Sequence, residues 1–433
     1  MPGLFLAMAL QAAAPPQPAA PPAPVAQAMV THRAPRPPHR FHFHMPRLPR
    51  PPRGPGRNAG PDSGAVAKLL TDLAVTPAAV CGMAVAGLGN GWDDWGGQAG
   101  ANALHDEALG VRAERALFQT SLQDPRAVPV LAASLGRPEP CVRRAAARLL
   151  GHSNLPEATR ALRDGLQRPD PLVREAAALG LGIMEDPGSL EALMGALGDR
   201  NVEVVRMAAW ALGEMEDARA VAPLARLTGH ADGGVRQAVA LALGEIEDAR
   251  AVPAVAPMLR DLEARVRQAA AVALGDLEDR SATAALLDAL DDRDPAVRLA
   301  VVEALGQIED PQATSRLAGL ISDDSPTMRE AVARALGEIE DPKAVPALLR
   351  ALRDRDPEVR VAAAAALGQI EDPAAAEPLG QALSDPVTEV RRAVVQALGE
   401  IEDERVTPHL IRALKDPDPE VRKHAAEALG EHP

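Results

Sequence analysis

The stretch from Asp356 to Asp372 reads Asp-Pro-Glu-Val-Arg-Val-Ala-Ala-Ala-Ala-Ala-Leu-Gly-Gln-Ile-Glu-Asp. Aspartate commonly caps a helix and proline suits the first helical position, so a helix is predicted to begin here. Gly368 is expected to end it, because glycine often follows the last helical residue. We call this element helix B. Its apolar residues form one stripe at helical spacing, namely Val359, Ala362, Ala363 and Ala366.

A second helix, helix A, is predicted just upstream of helix B. Asp341 can cap it, Pro342 fits its first position, and apolar residues recur at i, i+3, i+4 and i+7 from Val345. Pro346 lacks an N–H, so it should bend helix A or restart it. The same proline recurs in other units, at Pro129, Pro253 and Pro408.

This helical pair repeats with a period of 31 residues. Ten glycines mark the period, namely Gly151, Gly182, Gly213, Gly244, Gly275, Gly306, Gly337, Gly368, Gly399 and Gly430. In such an array no unit buries its apolar face alone, and neighbouring units supply the core. The sequence therefore predicts an all-α fold, a right-handed α-solenoid of about ten regular helical pairs plus one or two degenerate N-terminal units.

Four segments are expected along the chain. Residues 1–14 resemble a short secretory signal peptide, although no Lys or Arg precedes their apolar run. Residues 15–61 are dense in proline and predict a disordered Pro/Arg-rich linker. Residues 62–123 keep parts of the pattern and predict a degenerate cap, and residues 124–433 form the regular solenoid. Export is expected if the first segment is a signal, and a cytoplasmic location otherwise.

Charge is unevenly distributed between the tail and the body. The residues before Asp62 include seven arginines and no acidic residue, so the rest of the chain holds all 60 acidic residues. An acidic body with few aromatic residues is a poor match for nucleic acid, and no segment is long enough to span a membrane. The expected partner is another protein. Cys81 and Cys141 are expected to lie too far apart to bridge, because they are separated by nearly two units.

The Asp356–Asp372 motif resembles the HEAT repeats of the phycobilisome-lyase-like family, strongly over residues 124–433 and weakly over 62–123. The resemblance implies a structural ladder between layers, joining a turn aspartate to an arginine early in helix B, as in Asp354 with Arg360. The unit of residues 186–216 departs from it, with Val205 at the arginine position. The other matching residues are Asp261, Asp292, Asp323, Asp385 and Asp416, with Arg267, Arg298, Arg329, Arg391 and Arg422.

The resemblance also implies enzymatic alternatives, namely a bilin-lyase-like or regulatory subunit and, in a related branch, a deoxyhypusine-hydroxylase-like di-iron enzyme. The hydroxylase needs His-Glu dipeptides on successive B helices, and this sequence has none. Neither cysteine has a histidine in a matching column, so no catalytic residue is assigned. We therefore expect a chain without catalytic residues, metal or cofactor, and His424 is interpreted as a surface residue.

The candidate partner-binding face lies on helix B, at positions seven and three residues before each repeat glycine. These positions lie opposite the apolar stripe, and in HEAT arrays this side is usually concave. Trp210 beside Arg206 favours a protein-binding groove, because both residue types are enriched at hot spots. The alternative is that the apolar residues pack between layers as ordinary core. The candidate residues are Leu179, Arg206, Trp210, Gln237, Leu241, Gln268, Val272 and Leu299.

Overall fold

The computed structural model describes residues 63–74, 124–153 and 155–431. Within these ranges every regular element is an α-helix or a 3-10 helix, so the predicted all-α solenoid is confirmed. The expectations for residues 1–14 and 15–61 lie outside the described residues. So does most of the expected cap, of which the structure describes helix α1 (Ser63–Ala74).

Ten helical pairs follow α1, each in one 31-residue unit. They are α2 (Val128–Ser134) and α3 (Pro140–Gly151), α4 (Pro156–Gly165) and α5 (Pro171–Met184), α6 (Leu190–Ala196) and α7 (Val202–Glu214), α8 (Val221–Ala225) and α9 (Gly233–Glu245), α10 (Val252–Val255) and α11 (Ala264–Asp276), α12 (Thr283–Ala289) and α13 (Pro295–Gln307), α14 (Thr314–Gly319) and α15 (Pro326–Ile339), α16 (Val345–Ala351) and α17 (Pro357–Ile370), α18 (Ala376–Ala382) and α19 (Thr388–Glu400), and α20 (Thr407–Ala413) and α21 (Pro419–Glu431). Each second helix is a B helix.

Most A helices begin in two steps, a 3-10 turn and then the α-helix, including units without a proline at the Pro346 position. The carboxylate of Asp341 accepts a hydrogen bond from the backbone N–H of Lys343 at 3.1 Å and caps a 3-10 turn, Pro342–Ala344. The α-helix then starts at Val345, with Pro346 in its second position. In the unit of residues 248–278 a further proline, Pro257, lies in a 3-10 helix, Ala256–Arg260, which follows the four-residue α10.

The B helices pack one on the next through small residues. Each contacts the B helix of the following unit, while each A helix contacts the B helix of its own unit. The predicted stripe of α17 is buried, with Val359 and Ala363 fully inaccessible to solvent. Alanine on this stripe lets neighbouring helices approach closely, which explains how the core forms with so few aromatic residues.

Gly368 does not end its helix. Helix α17 continues to Ile370, and the left-handed residue that follows is Glu371, with φ of 55°. A Cβ atom at Gly368 would lie 2.8 Å from Cα of Ala397 in the next layer. The expectation that this glycine terminates the helix is therefore wrong, because its role is to permit the contact between layers.

Helix α1 packs directly against α2 and α3 of the first regular unit. Its Val66 and Leu70 are buried in the same core. Cys141, at the start of α3, is disulfide-bonded, and the only other cysteine in the sequence is Cys81, which lies outside the described residues. Since the sequence has no third cysteine, this bond contradicts the expectation that the two lie too far apart to bridge.

Candidate partner-binding face

An arginine–aspartate ladder runs along the edge where the B helices begin. The Arg360 guanidinium donates to both carboxylate oxygens of Asp385 in the next unit, at 2.8 and 3.0 Å. It also donates to the backbone carbonyl of Asp354 in its own unit, at 2.8 Å. The predicted pair, Asp354 with Arg360, thus makes only a backbone contact. The carboxylate of Asp354 instead accepts from Arg329 of the preceding unit.

The same bidentate ion pair recurs between other layers. Its geometry is that of a fork-shaped guanidinium on a carboxylate, and the paired side chains are mostly buried. In Asp354 the hydrogen bond from Arg329 lowers the pKa of the carboxyl group. The complete pairs are Arg174–Asp199, Arg236–Asp261, Arg267–Asp292, Arg329–Asp354, Arg360–Asp385 and Arg391–Asp416.

The ladder is interrupted between some layers. Val205 replaces the arginine, and His230 stands where the matching aspartate would be. His230 Nδ1 accepts a hydrogen bond from the backbone N–H of Asp232 at 3.0 Å. This bond stabilises the turn, although the ladder ion pair is not formed here.

Two predicted arginines of the ladder bind only backbone carbonyls. Arg298 donates to the carbonyl of Asp292, and the described contacts include no ion pair between Arg298 and Asp323. Arg422 donates to the carbonyls of Asp416 and Pro417.

The outward face of the B helices carries three rows of side chains. We define the polar, apolar and acidic rows as the residues seven before, three before and one after each repeat glycine. Their spacing of four places them on one side of the helix. The candidate residues predicted from the sequence do not include the acidic row, although an acidic residue directly follows the glycine in most units. In three consecutive units it consists of Glu214, Glu245 and Asp276.

The apolar row is partly exposed in three of its four predicted units. Leu179 is only 4% exposed, so its expected outward position is wrong. Trp210, Leu241 and Val272 are half-buried against the core. A Cβ atom at Gly182 would lie 2.7 Å from Trp210 Cζ3, so the indole packs over the glycine of the preceding layer. Trp210 therefore combines both expected roles, since one part of it is core and another reaches solvent.

The polar row flanks this strip on one side. Gln237 and Gln268 are half-buried, and Arg206 forms an ion pair with Glu203 at 2.9 Å. The half-buried Leu299, at the same position of the next unit, extends the apolar strip. Before and after the strip the face carries charge. The first unit contributes Arg144 and Arg148, and later units place exposed charged residues in the apolar row, namely Glu303, Arg334 and Glu427.

The acidic row flanks the strip on the other side. Burial raises the pKa of the Glu214 carboxyl group to about 7, and repulsion by Glu245 adds to the effect. The same two causes, in the same order, raise the pKa of Asp276 to about 7. The carboxylate oxygen Oδ2 of Asp276 lies 3.2 Å from where a Cβ atom at Gly244 would be, so it too rests over a repeat glycine.

A second set of glutamates lies at the same ends of the B helices. Seven exposed glutamates adopt left-handed backbone conformations, with φ between 47° and 55°. Glycine is the residue that this position usually takes. We call the set the glutamate column, and its members are Glu185, Glu216, Glu247, Glu278, Glu309, Glu340 and Glu371.

The described ranges hold neither a metal-binding cluster nor a membrane-spanning helix. No three His, Cys, Asp or Glu side chains in residues 63–74, 124–153 and 155–431 are grouped so that they could hold a metal ion. None of the helices in these ranges is both long and apolar enough to cross a membrane.

Comparison with known families supports the repeat architecture. The HEAT repeats family matches residues 128–209, 196–273, 252–332, 315–388 and 376–432. The chain belongs to the HEAT-repeat family. No curated protein sequence matches this HEAT-repeat chain.

Solved structures share the fold. A structure of Kap95p with RanGDP matches with a TM-score of 0.51 and 16% identity, covering 85% of this chain and 60% of that one. The CpcE–CpcF complex of phycocyanin lyase from Nostoc sp. matches with a TM-score of 0.35 and 25% identity, covering 55% and 94%. Human deoxyhypusine hydroxylase matches with a TM-score of 0.28 and 23% identity, covering 56% and 95%. The likeness to Kap95p shows the solenoid fold alone.

Proposed function

We propose that this HEAT-repeat protein is a non-catalytic scaffold or adaptor that binds another protein along the outward face of its B helices. The observation that carries the proposal is the half-buried strip of Trp210, Leu241, Val272 and Leu299. These side chains occupy consecutive units, and the next two positions of the apolar row after Val272 are charged, Glu303 and Arg334. A continuous apolar strip bordered by polar residues is typical of a protein-binding surface.

Trp210 is the proposed anchor of the interface. Its indole packs over Gly182 and against the core, so less side-chain freedom remains to be lost on binding than for a fully exposed residue. Tryptophan is the residue type most enriched at binding hot spots, particularly where surrounding contacts exclude water. We also propose that the protein is related to the phycobilisome-lyase-like branch of HEAT-repeat proteins, because of the resemblance of its Asp356–Asp372 motif.

A pull-down with the full chain tests the proposal. The wild type should retain a partner protein from native lysate, and Trp210→Ala and Leu241→Arg should each lose it. The matched control is Leu262→Arg, because Leu262 is 88% exposed and lies outside the three rows. Circular dichroism should show that all variants are folded. Equal recovery by Leu241→Arg and Leu262→Arg would mean that the partner does not bind the strip.

A further inference from the structure

The last helical pair, α20 and α21, has a side that no other described residue covers. In each of the nine preceding units, the residue four before the repeat glycine is fully inaccessible to solvent, as at Val395. The equivalent Ala426 is exposed. Leu383, sixteen before its glycine, is 9% exposed, whereas the equivalent Leu414 is 39% exposed. We call this side the end face and define it by Thr407, Leu414, Arg422, Ala426 and Gly430.

The end face keeps the character of an inner layer. A Cβ atom at Gly399 would lie 2.9 Å from the Cβ atom of Ala428 in the next unit, whereas one at Gly430 would have no described atom within 4 Å. Terminal units of repeat arrays usually carry a polar outer face, which keeps the array soluble. Here small and apolar side chains occupy that face, so its composition suits a further layer.

Arg422 is the last arginine of the ladder and has no described carboxylate partner. In the preceding layer, Arg391 donates from Nε and Nη2 to the two carboxylate oxygens of Asp416, at 2.8 and 3.1 Å. Arg422 donates only from Nη1, to the backbone carbonyls of Asp416 and Pro417. Its Nε and Nη2 groups are therefore available for a bidentate bond to a carboxylate in a further layer.

Thr407 is a second polar group of the end face. The equivalent Thr314 donates its hydroxyl group to Asp341, which caps the next A helix, at 2.9 Å. Thr283 makes the same bond to Asp310 at 2.8 Å, and all four of these side chains are buried. The described contacts give the Thr407 hydroxyl group no such aspartate. The end face thus presents two donors whose counterparts bind aspartates elsewhere in the array.

The two donors specify the chemistry of a ligand. Within the array, both acceptors belong to one helical pair, since Asp341 and Asp354 lie thirteen residues apart in the unit of residues 341–371. We propose that the end face binds a helical pair of another protein, which carries one aspartate before its first helix and a second in the turn before its second helix. The end face is separate from the strip, so this inference does not depend on the proposed scaffold function.

A second copy of this chain does not offer such a helical pair at its ends. At the first unit, α1 packs against α2 and α3. At the last unit, Arg391 already binds Asp416, and Asp403 is bound by Arg405. The geometry therefore points to a partner with a different sequence and a free layer of this kind.

A peptide-binding experiment with the full chain tests this inference. The probe is a fluorescein-labelled synthetic peptide with the sequence of residues 341–371, followed by fluorescence anisotropy. It should bind saturably, and a peptide with Asp341→Ala and Asp354→Ala should bind about tenfold more weakly or worse. Leu414→Arg in the full chain should abolish binding. Two control variants, Leu262→Arg and Trp210→Ala, should change the affinity by about twofold at most.

A second measurement joins the same 31-residue sequence to the full chain directly after Pro433, in register with the repeat. Circular dichroism should show the helix content of an added pair, and the extended chain should no longer bind the labelled peptide. An added unit that stays unfolded overturns the inference, as does one that folds equally well with Arg422→Met and Thr407→Val.

The peptide results decide the remaining cases. A peptide that does not bind, although the added unit folds, overturns binding of a separate protein. Equal binding of the two peptides, or equal binding by Leu414→Arg and Leu262→Arg, overturns it as well. A partner lost with Trp210→Ala in the pull-down, combined with no peptide binding, refutes this inference alone and leaves the scaffold function standing.

Discussion

The two edges of the B helices are both rich in acidic residues, yet the carboxyl groups are in opposite electrostatic states. At the starting edge, Asp354 is held by Arg329 and its pKa is lowered. At the terminal edge, Glu214 and Asp276 face other acidic groups, and their pKa values rise to about 7. The comparison teaches that acidic side chains stabilise the stack at one edge, while at the other burial and mutual repulsion make the ionised carboxyl groups unfavourable in the folded chain.

The largest expected effect comes from breaking the ladder. Arg329→Met leaves the carboxylate of Asp354 buried without its partner, so the free energy of unfolding should fall by about 3 kcal/mol. Urea denaturation measures the change. The matched control is Arg298→Met, which loses a bond to a carbonyl but no ion pair and should cost about 1 kcal/mol. Equal losses would show that the ion pair adds nothing to the stability of the ladder.

The next effect should come from removing charge at the terminal edge. Because the folded pKa values of Glu214 and Asp276 exceed their ordinary values, the folded chain binds more protons than the unfolded chain between about pH 4 and pH 7. Their contribution to stability is therefore favourable at low pH and is lost as the pH rises to 7. The double variant Glu214→Gln and Asp276→Asn should gain about 2 kcal/mol at pH 8, after allowance for solvent screening.

The same double variant should differ little from the wild type at pH 4. Urea denaturation at pH 4 and pH 8 checks this dependence. Glu157→Gln with Glu191→Gln serves as the control and should show no such contrast. A gain of equal size at both pH values would contradict the electrostatic explanation.

The smallest effect is expected in the glutamate column. Glu371→Gly relieves a left-handed conformation that disfavours side chains with a Cβ atom, and should raise the free energy of unfolding by up to about 1 kcal/mol. Ala365→Gly, at an exposed interior position of the same helix, should lower it by about 1 kcal/mol. Thermal melting of the two variants should therefore shift in opposite directions. A shared direction would show that strain at Glu371 is not the cause.

The sequence predicts the repeat, the helices and their buried stripe because these follow from local capping and helical spacing. Asp356 and Pro357 begin α17 as expected, and Pro346 stands where α16 restarts. Contacts between layers are harder to predict. The long Arg360 side chain reaches Asp385 of the next unit, and spacing within one unit cannot show which neighbour it selects. The role of Gly368 cannot be predicted for the same reason, because it depends on Ala397 in another layer.

The candidate face was predicted in part, since helical spacing identifies the side of the helix but not the depth of burial. Leu179 is expected outside and lies inside, whereas Trp210 occupies the space over Gly182 and still reaches solvent. The sequence does not distinguish the acidic row from a solvated surface, to which acidic residues near the end of a helix usually belong. Their importance becomes clear only when neighbouring layers bring Glu214, Glu245 and Asp276 together.

The missing ion pair at Val205 and His230 has a mechanical consequence. The ion pairs of the ladder join neighbouring layers along one edge of the stack. Val205 and His230 occupy the positions of one such pair, so no ladder ion pair joins these two layers. The gap lies between the units that carry Trp210 and Leu241. A change in the angle between these two units alters the separation of Trp210 and Leu241 without breaking a ladder ion pair. The stack therefore resists bending less at this point, where it is proposed to bind its partner.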